Sequence, residues 1–231
     1  MSNPSIDLNI EGNVAVLTMN NPPANTWTQD TLTALKDTVT ELNANKNVYA
    51  LVITGQGEKF FSAGADLNVF ASGDKGVAAT MSKVFGDAFE ALTNFRGVSI
   101  AAINGYAMGG GLEVALACDI RIAEEQAQMA LPEAKVGLLP CAGGTQNLAW
   151  LVGEGWAKRM ILCGERLKAD KALQIGLVEE VVPQGESFAA ALKLANQVSE
   201  QSPSSVSACK TLIQKGRHQP MASVLPFERE L

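Results

Sequence analysis

Across the whole of Gly97–Cys118 only one side chain is charged, Glu113, and it is set among glycine, alanine and branched aliphatics. A segment this apolar commits the chain to a fold with a sizeable interior, and it strands one carboxylate there. Val98–Ile103 reads as a buried strand and Leu112–Cys118 as helical in pattern, joined through Gly105-Tyr106-Ala107-Met108-Gly109-Gly110-Gly111. Periodicity alone leaves Glu113 free to face solvent from one side of that helix, since long charged residues are seldom buried unpaired. The three glycines before it argue otherwise. At a strand-to-helix junction they cost conformational entropy, and they make sense where backbone approaches another group closely or turns its N–H groups toward something anionic.

The surrounding pattern repeats the same alternation. Ile6–Ile10 and Val14–Met19 flank the turn triplet Glu11-Gly12-Asn13 and read as a β-hairpin. Asn20-Asn21-Pro22-Pro23 stops the strand, and Thr28 then caps a helix with Leu32, Leu35, Val39 and Leu42 on one face. Tyr49–Thr54 is a short β-branched run ending at Gly55-Gln56-Gly57, and the loop after it carries Phe60-Phe61-Ser62-Ala63-Gly64-Ala65-Asp66. A helix over about Ala78–Phe95 leads into Val98–Ile103. Strand-like pieces follow at Ile120–Ala123 and Gln128–Leu131, then helices at Thr145–Val152, Gly155–Leu162 and Ala169–Ile175, and a last strand at Leu177–Val182. Pro183-Gln184-Gly185-Glu186 is the boundary expected between a mixed α/β body, residues 1–185, and a helical tail, residues 186–231, broken at Pro203, Gly216-Arg217-His218 and Pro226. There is no internal sequence repeat and no low-complexity segment.

Composition narrows the chemistry. The chain has 231 residues, 47% of them hydrophobic, and a net charge of −6, so it offers no basic field for phosphate backbones or anionic lipid. Cys118, Cys141, Cys163 and Cys209 form no C-x-x-C pair, which fits a reducing compartment, cytoplasm or organelle matrix. Met1–Asn9 lacks the features of a signal peptide, and no apolar run is long enough to cross a bilayer. The single histidine, His218, lies in a polar stretch, so a nucleophile with a histidine base or a multi-histidine metal site has almost no material. Catalysis is left to carboxylates, backbone and water, with no metal and no separate cofactor expected. The glycine spacing fits neither the dinucleotide fingerprint nor a Walker loop. N–H groups aimed at a developing oxyanion remain open. Taken singly, Asp66 and Glu133 read as acidic residues near helix starts.

Taken together, the order Ser62-Ala-Gly-Ala-Asp66, Asn104-Gly-Tyr-Ala-Met-Gly-Gly-Gly-Leu-Glu113, Asp119-Ile-Arg121 and Leu131-Pro-Glu133 through Gln146 resembles the crotonase, or enoyl-CoA hydratase/isomerase, family. The likeness runs from about Ile6 to the last residue and includes two glutamates twenty positions apart, Glu113 and Glu133. The resemblance implies an α/β crotonase-like spiral of repeated ββα units with a C-terminal α-helical segment, assembly into homotrimers or hexamers, and a site for acyl-CoA thioesters in which CoA is part of the substrate. It implies that the N–H groups of Ala65 and Gly110 form the oxyanion hole and that Glu113 and Glu133 are the catalytic pair. Substrate and CoA contacts then fall at Ala63, Asp66, Leu67, Gly109 and Cys141.

Three departures stand out. Cys141 replaces a usual glycine, so a thiol borders the site. Asn68 stands where some members place a lysine near the CoA phosphates. The chain stops at Leu231 inside an apparent helix, where the family continues with a helix covering the acyl pocket, so a more open site is expected. The leading expectation is hydration of a trans-2-enoyl-CoA to the 3-hydroxyacyl-CoA in fatty-acid or related acyl-CoA metabolism. A 3,2-enoyl-CoA isomerase is the nearest enzyme alternative, and a non-catalytic RNA-binding or scaffold member the alternative of another class. The acid and base roles of the two glutamates, and the acyl chain length, stay open at this level.

Overall fold

The computed structural model describes residues 6–217 and 219–230; His218 and the start of the Met1–Asn9 stretch fall outside them. The hairpin forms as expected, with β1 (Ile6–Glu11) antiparallel to β2 (Val14–Met19). Next comes α1 (Gln29–Ala44), capped by Thr28, whose hydroxyl accepts from the Thr31 N–H while the Thr31 hydroxyl reaches back to the Thr28 N–H. That reciprocal pair satisfies donors that a helix start leaves open.

From there the chain winds through turns that each deposit one strand in each of two sheets. The first turn is β3 (Ala50–Gly55), β4 (Phe60–Ser62) and α2 (Lys75–Thr93). The second is β5 (Val98–Ile103), β6 (Tyr106–Met108) and α3 (Gly110–Ala117). The third is β7 (Ile120–Glu124), β8 (Gln128–Ala130) and α4 (Gly144–Leu162), followed by β9 (Leu167–Lys168), α5 (Ala169–Gln174) and β10 (Glu180–Val182). The larger sheet has the order β1-β2-β3-β5-β7-β10 and is parallel from β2 onward; the smaller has the order β4-β6-β8-β9, its first three strands parallel. This is the spiral of ββα units.

β4, β6 and β9 are strands that the sequence pattern does not reveal. With two or three residues each, they are too short to show a period. The last strand begins at Glu180 rather than Leu177, because Leu177 is drawn into the end of α5 by a hydrogen bond from its N–H to Ala172 O. The two helices expected on either side of Gly153 are present as the two halves of α4, which Gly153 interrupts with non-helical φ +77° and ψ 160°.

α3 is buried along its entire length, and that settles the orientation of Glu113: the residue is 3% exposed, so the solvent-facing alternative is overturned. A helix apolar on all sides belongs inside, and here α2, α4 and the strands surround it. The expected boundary at residue 185 falls at the turn before α6 (Ser187–Ser199), but α6 packs its Ala191 and Ala195 against the larger sheet and shares its core. Much of the tail's apolar stripe, including Leu192, Leu194 and Val198, is thereby spent inside the chain. Among the described residues no helix is long and apolar enough to cross a membrane.

The tail continues with α7 (Pro203–Gly216) and the short α8 (Met221–Val224). No side chain of α7 is fully buried, and Lys210 and Gln214 tie the helix to the body by hydrogen bonds. The Lys210 ammonium donates to Phe95 O at 2.6 Å, Gly97 O at 3.0 Å and Asp119 Oδ2 at 2.7 Å, and Asp119 in turn accepts from the Ser99 N–H and hydroxyl. Lys210→Met is therefore expected to lower unfolding stability by about 2 kcal/mol, below the range for breaking a fully buried ion pair because this pair is partly exposed. Denaturant melts measure the loss, and amide exchange should speed up in α7 before the sheets.

Candidate active site

β4, β6 and β8 lie side by side and parallel, so their carboxyl ends open on the same edge of the smaller sheet. The end of β4 carries Ala63 to Asp66, the end of β6 carries Gly109 and Gly110, and the end of β8 leads through Leu131 and Pro132 to Glu133. Positions far apart in the chain become neighbours for this reason alone.

The first two ends press together. Gly64 has φ +89°, and a Cβ there would stand 2.5 Å from Met108 O and 3.1 Å from Gly110 N. Ser62, fully buried, fixes the loop by donating its hydroxyl to Asn25 O at 2.7 Å and accepting from the Gly64 N–H. Trp27 bridges Ala65 edge to edge: its N–H donates to Gly64 O, and its carbonyl accepts from the Asp66 N–H. That pairing uses the groups on both sides of the Ala65 amide and turns the Ala65 N–H away from Trp27. Gly110, at the first position of α3, likewise has its N–H clear of the helix ladder. Both residues line one cavity.

The cavity measures about 270 Å³ and is lined by Ala65, Phe70, Ala78, Ser82, Phe85, Gly110, Glu113, Glu133, Gly137, Leu138, Leu139 and Cys141. Of the expected site residues, Ala65, Gly110, Glu113, Glu133 and Cys141 are brought together on its wall. Ala63, Asp66, Leu67 and Gly109 are not on that wall. The Ala63 N–H donates to Ala24 O, Asp66 caps the short 3-10 turn Leu67–Phe70, and Leu67 is 53% exposed at the surface. Asn68 is occupied by Asp66 Oδ1, which accepts from both its N–H and its side-chain amide. Gly109 (φ +53°) lies behind the wall, and a Cβ there would come 3.2 Å from Glu133 Oε1, so glycine leaves the room that this carboxyl occupies. Larger cavities of about 440 and 640 Å³ exist at the edge of the larger sheet and beside α7, but neither contains the paired glutamates.

The two carboxyl groups are treated differently by their surroundings. Glu113 Oε1 accepts from the Ala142 N–H at 2.9 Å and the Gly144 N–H at 3.0 Å. Burial raises its pKa, and these donors together with the Cys141 amide oppose the rise by stabilising the ion. Both carboxyl oxygens of Glu133 are buried without a partner in any other residue. Burial pushes Glu133 up to about 7, its own backbone N–H opposing the rise and the neighbouring Glu113 charge adding to it. Both carboxyl groups are thus pushed toward the neutral form by burial, and backbone donors oppose this more at Glu113. A carboxyl pair in such unequal surroundings can supply base and acid together, beside backbone N–H groups able to donate to developing negative charge.

Sequence reasoning does not single out Phe70, Ala78, Ser82, Phe85, Leu138 or Leu139. Ala78, Ser82 and Phe85 follow the i, i+4, i+7 spacing of one helix face, a signal that marks a face without saying what it meets.

A model of the family described as enoyl-CoA hydratase/isomerase matches residues 9–231. The short-chain enoyl-CoA hydratase of Clostridium acetobutylicum is 39% identical over 98% of this chain and 87% of its own. Among solved structures, Pseudomonas aeruginosa DspI is 64% identical with a TM-score of 0.96, over 98% of this chain and 93% of that one. An enoyl-CoA hydratase from Bacillus anthracis is 34% identical with a TM-score of 0.94, over 98% and 88%.

Proposed function

The chain belongs to the enoyl-CoA hydratase/isomerase family, and from that premise we propose that it is a hydro-lyase adding water across a trans-2-enoyl-CoA to give the 3-hydroxyacyl-CoA. The observation that supports this reading best is the unequal carboxylate pair: Glu113 held by backbone donors, Glu133 buried without one. In the reaction, Glu113 takes a proton from water as the oxygen attacks Cβ. The electron pair of the double bond moves toward the thioester, whose oxygen is held by the N–H groups of Ala65 and Gly110. Glu133 then delivers its proton to Cα. One preorganised oxyanion donor is commonly worth about 3 to 4 kcal/mol, and each proton-transfer group about 10² to 10⁴ in rate.

The remaining parts of the reading follow from the same placement. Ala63, Asp66, Leu67, Gly109 and Cys141 are proposed along the path of the CoA moiety and its acyl chain. No cofactor besides the substrate's own CoA is invoked, and the substrate is placed in fatty-acid or related acyl-CoA metabolism. Four unpaired cysteines, two of them exposed, favour a reducing compartment. Homotrimers or hexamers are the expected assembly, and a clean monomer on sedimentation at micromolar concentration would remove that part. An isomerase of the same fold needs only one carboxylate to move a proton, which leaves the second buried acid without a task. An RNA-binding role has the net charge of −6 against it.

Crotonyl-CoA tests the reading directly. Loss of the conjugated enoyl-thioester absorbance is expected, and its absence at high protein concentration would overturn the proposal. Because Glu133 must carry its proton and titrates near 7, kcat should fall above that pH by about tenfold per unit.

A further inference from the structure

A thiol lines the same cavity as the carboxylate pair, and the hydration reading gives it no proton to move. Cys141 is the only cysteine lining the cavity that holds the Ala65 and Gly110 donors and the carboxylate pair. Cys118 is buried and bonded to Val114 O at 3.4 Å, and Cys163 and Cys209 lie exposed away from this cavity. Cys141 is partly exposed, lines the cavity together with Ser82, and contributes its own amide to the donors around Glu113. The side chain therefore starts one residue before Ala142, whose N–H holds the base. Glu133, whose two carboxyl oxygens are buried and unpartnered, lines the same cavity.

The substrate class of the hydratase reading, on which this inference rests, is an electrophile at the same carbon that water attacks, and a thiol is the stronger nucleophile. We propose that Cys141 is a covalent acceptor for the enoyl thioester, its sulfur adding to Cβ of bound 2-enoyl-CoA to give a 3-(S-cysteinyl)acyl-CoA that occupies the active site. The Sγ–H bond breaks and an Sγ–Cβ bond forms. The thiol proton passes to the Glu113 carboxylate, and the double-bond pair moves to the thioester oxygen held by Ala65 and Gly110. Cα then takes the proton of Glu133. The sum is addition of S and H across the double bond, with no oxidant or reductant.

Burial and the two carboxylates hold the Cys141 thiol above its ordinary pKa, so it is not a standing thiolate that any electrophile would consume. It acts only when the thioester is polarised and a base is at hand, which confines the chemistry to ligands that enter the oxyanion site. The consequence is self-limitation: an enzyme held at high enoyl-CoA converts part of its population into the adduct.

Saturating crotonyl-CoA, acid quench, intact-protein mass measurement and peptide mapping test this, with hydration followed in the same sample. The expected result is one added mass of intact crotonyl-CoA, mapped to Cys141, reduced about tenfold or more in Cys141→Ser and unchanged in Cys163→Ser and Cys209→Ser. Hydration without label at Cys141, or label confined to Cys163 and Cys209, overturns the inference and leaves the hydratase reading standing. Label at Cys141 without hydration supports the inference and overturns that reading. Neither label nor hydration overturns both.

Discussion

Glu113→Gln and Glu133→Gln are each expected to lower kcat for crotonyl-CoA hydration by about 10² or more, with thioester binding nearly intact, because glutamine keeps the shape and loses the proton transfer. The double variant should be far less damaged than the product of the two, since both groups act on one water and removing either already disables the unit. The same proteins should differ in stability. Glu133 rises from an ordinary 4.5 to about 7 on folding, so its ionised form is penalised in the native state. The native state holds a proton that the unfolded chain releases above about 4.5. The penalty is therefore absent below that pH, grows up to about 7 and stays constant beyond. At pH 8 it amounts to roughly 3 kcal/mol, which Glu133→Gln removes, raising Tm by about 6 to 12 °C. Glu113→Gln keeps an acceptor for the Ala142 and Gly144 amides and should melt close to the parent. Loss of a double-bond shift in Glu133→Gln, with hydration untouched in Glu113→Gln, would instead identify an isomerase. Unfolding of both variants would make the pair structural.

A single methyl group placed behind the oxyanion donors should be nearly as costly. In Gly111→Ala the new Cβ would overlap the carbonyl oxygen of Ser62 and come within 2.9 Å of the Ser62 side chain. Ser62 cannot yield, being fully buried and bonded to Asn25, so the loop bearing Ala65 and the start of α3 must separate. A loss of about 3 kcal/mol in stability is expected from overpacking, and kcat should fall by about 10² or more as the two donors lose their common target. Gly86→Ala is the control. It lies within α2 with nothing nearer to its Cβ than a flexible Glu90 oxygen at 4.0 Å, and should raise stability by about 0.5 to 1 kcal/mol. Equal behaviour of the two variants in melts and kinetics would show that the contact between the loop and α3 does not govern the site.

Two kinds of feature are legible in the amino acids alone. Long elements announce themselves: the hairpin, the Thr28-capped α1, the β-branched run of β3 and the face of α2 all rest on local periodicity and capping, which need no partner to be recognised. The segments around Ala65, Gly110, Glu113 and Glu133 resemble the family closely enough to carry expected roles to those positions. Read singly, Glu133 looks like a helix-start acid and Glu113 like a candidate for solvent.

The sequence by itself determined the apolar segment around Glu113, the alternation of strand and helix, the capped starts and the scarcity of material for histidine chemistry. The tertiary structure alone decided what these residues do for one another. Parallel strands need a long crossover, so Ala65, Gly110 and Glu133 are separated along the chain by whole ββα turns and meet only when β4, β6 and β8 pair. The division of labour between the carboxylates is likewise invisible locally. Both are glutamate, and only the fold brings the amides of Ala142 and Gly144 to one of them and leaves the other buried with none. Desolvation and donor placement are properties of the packed interior, and they give two identical side chains unequal surroundings.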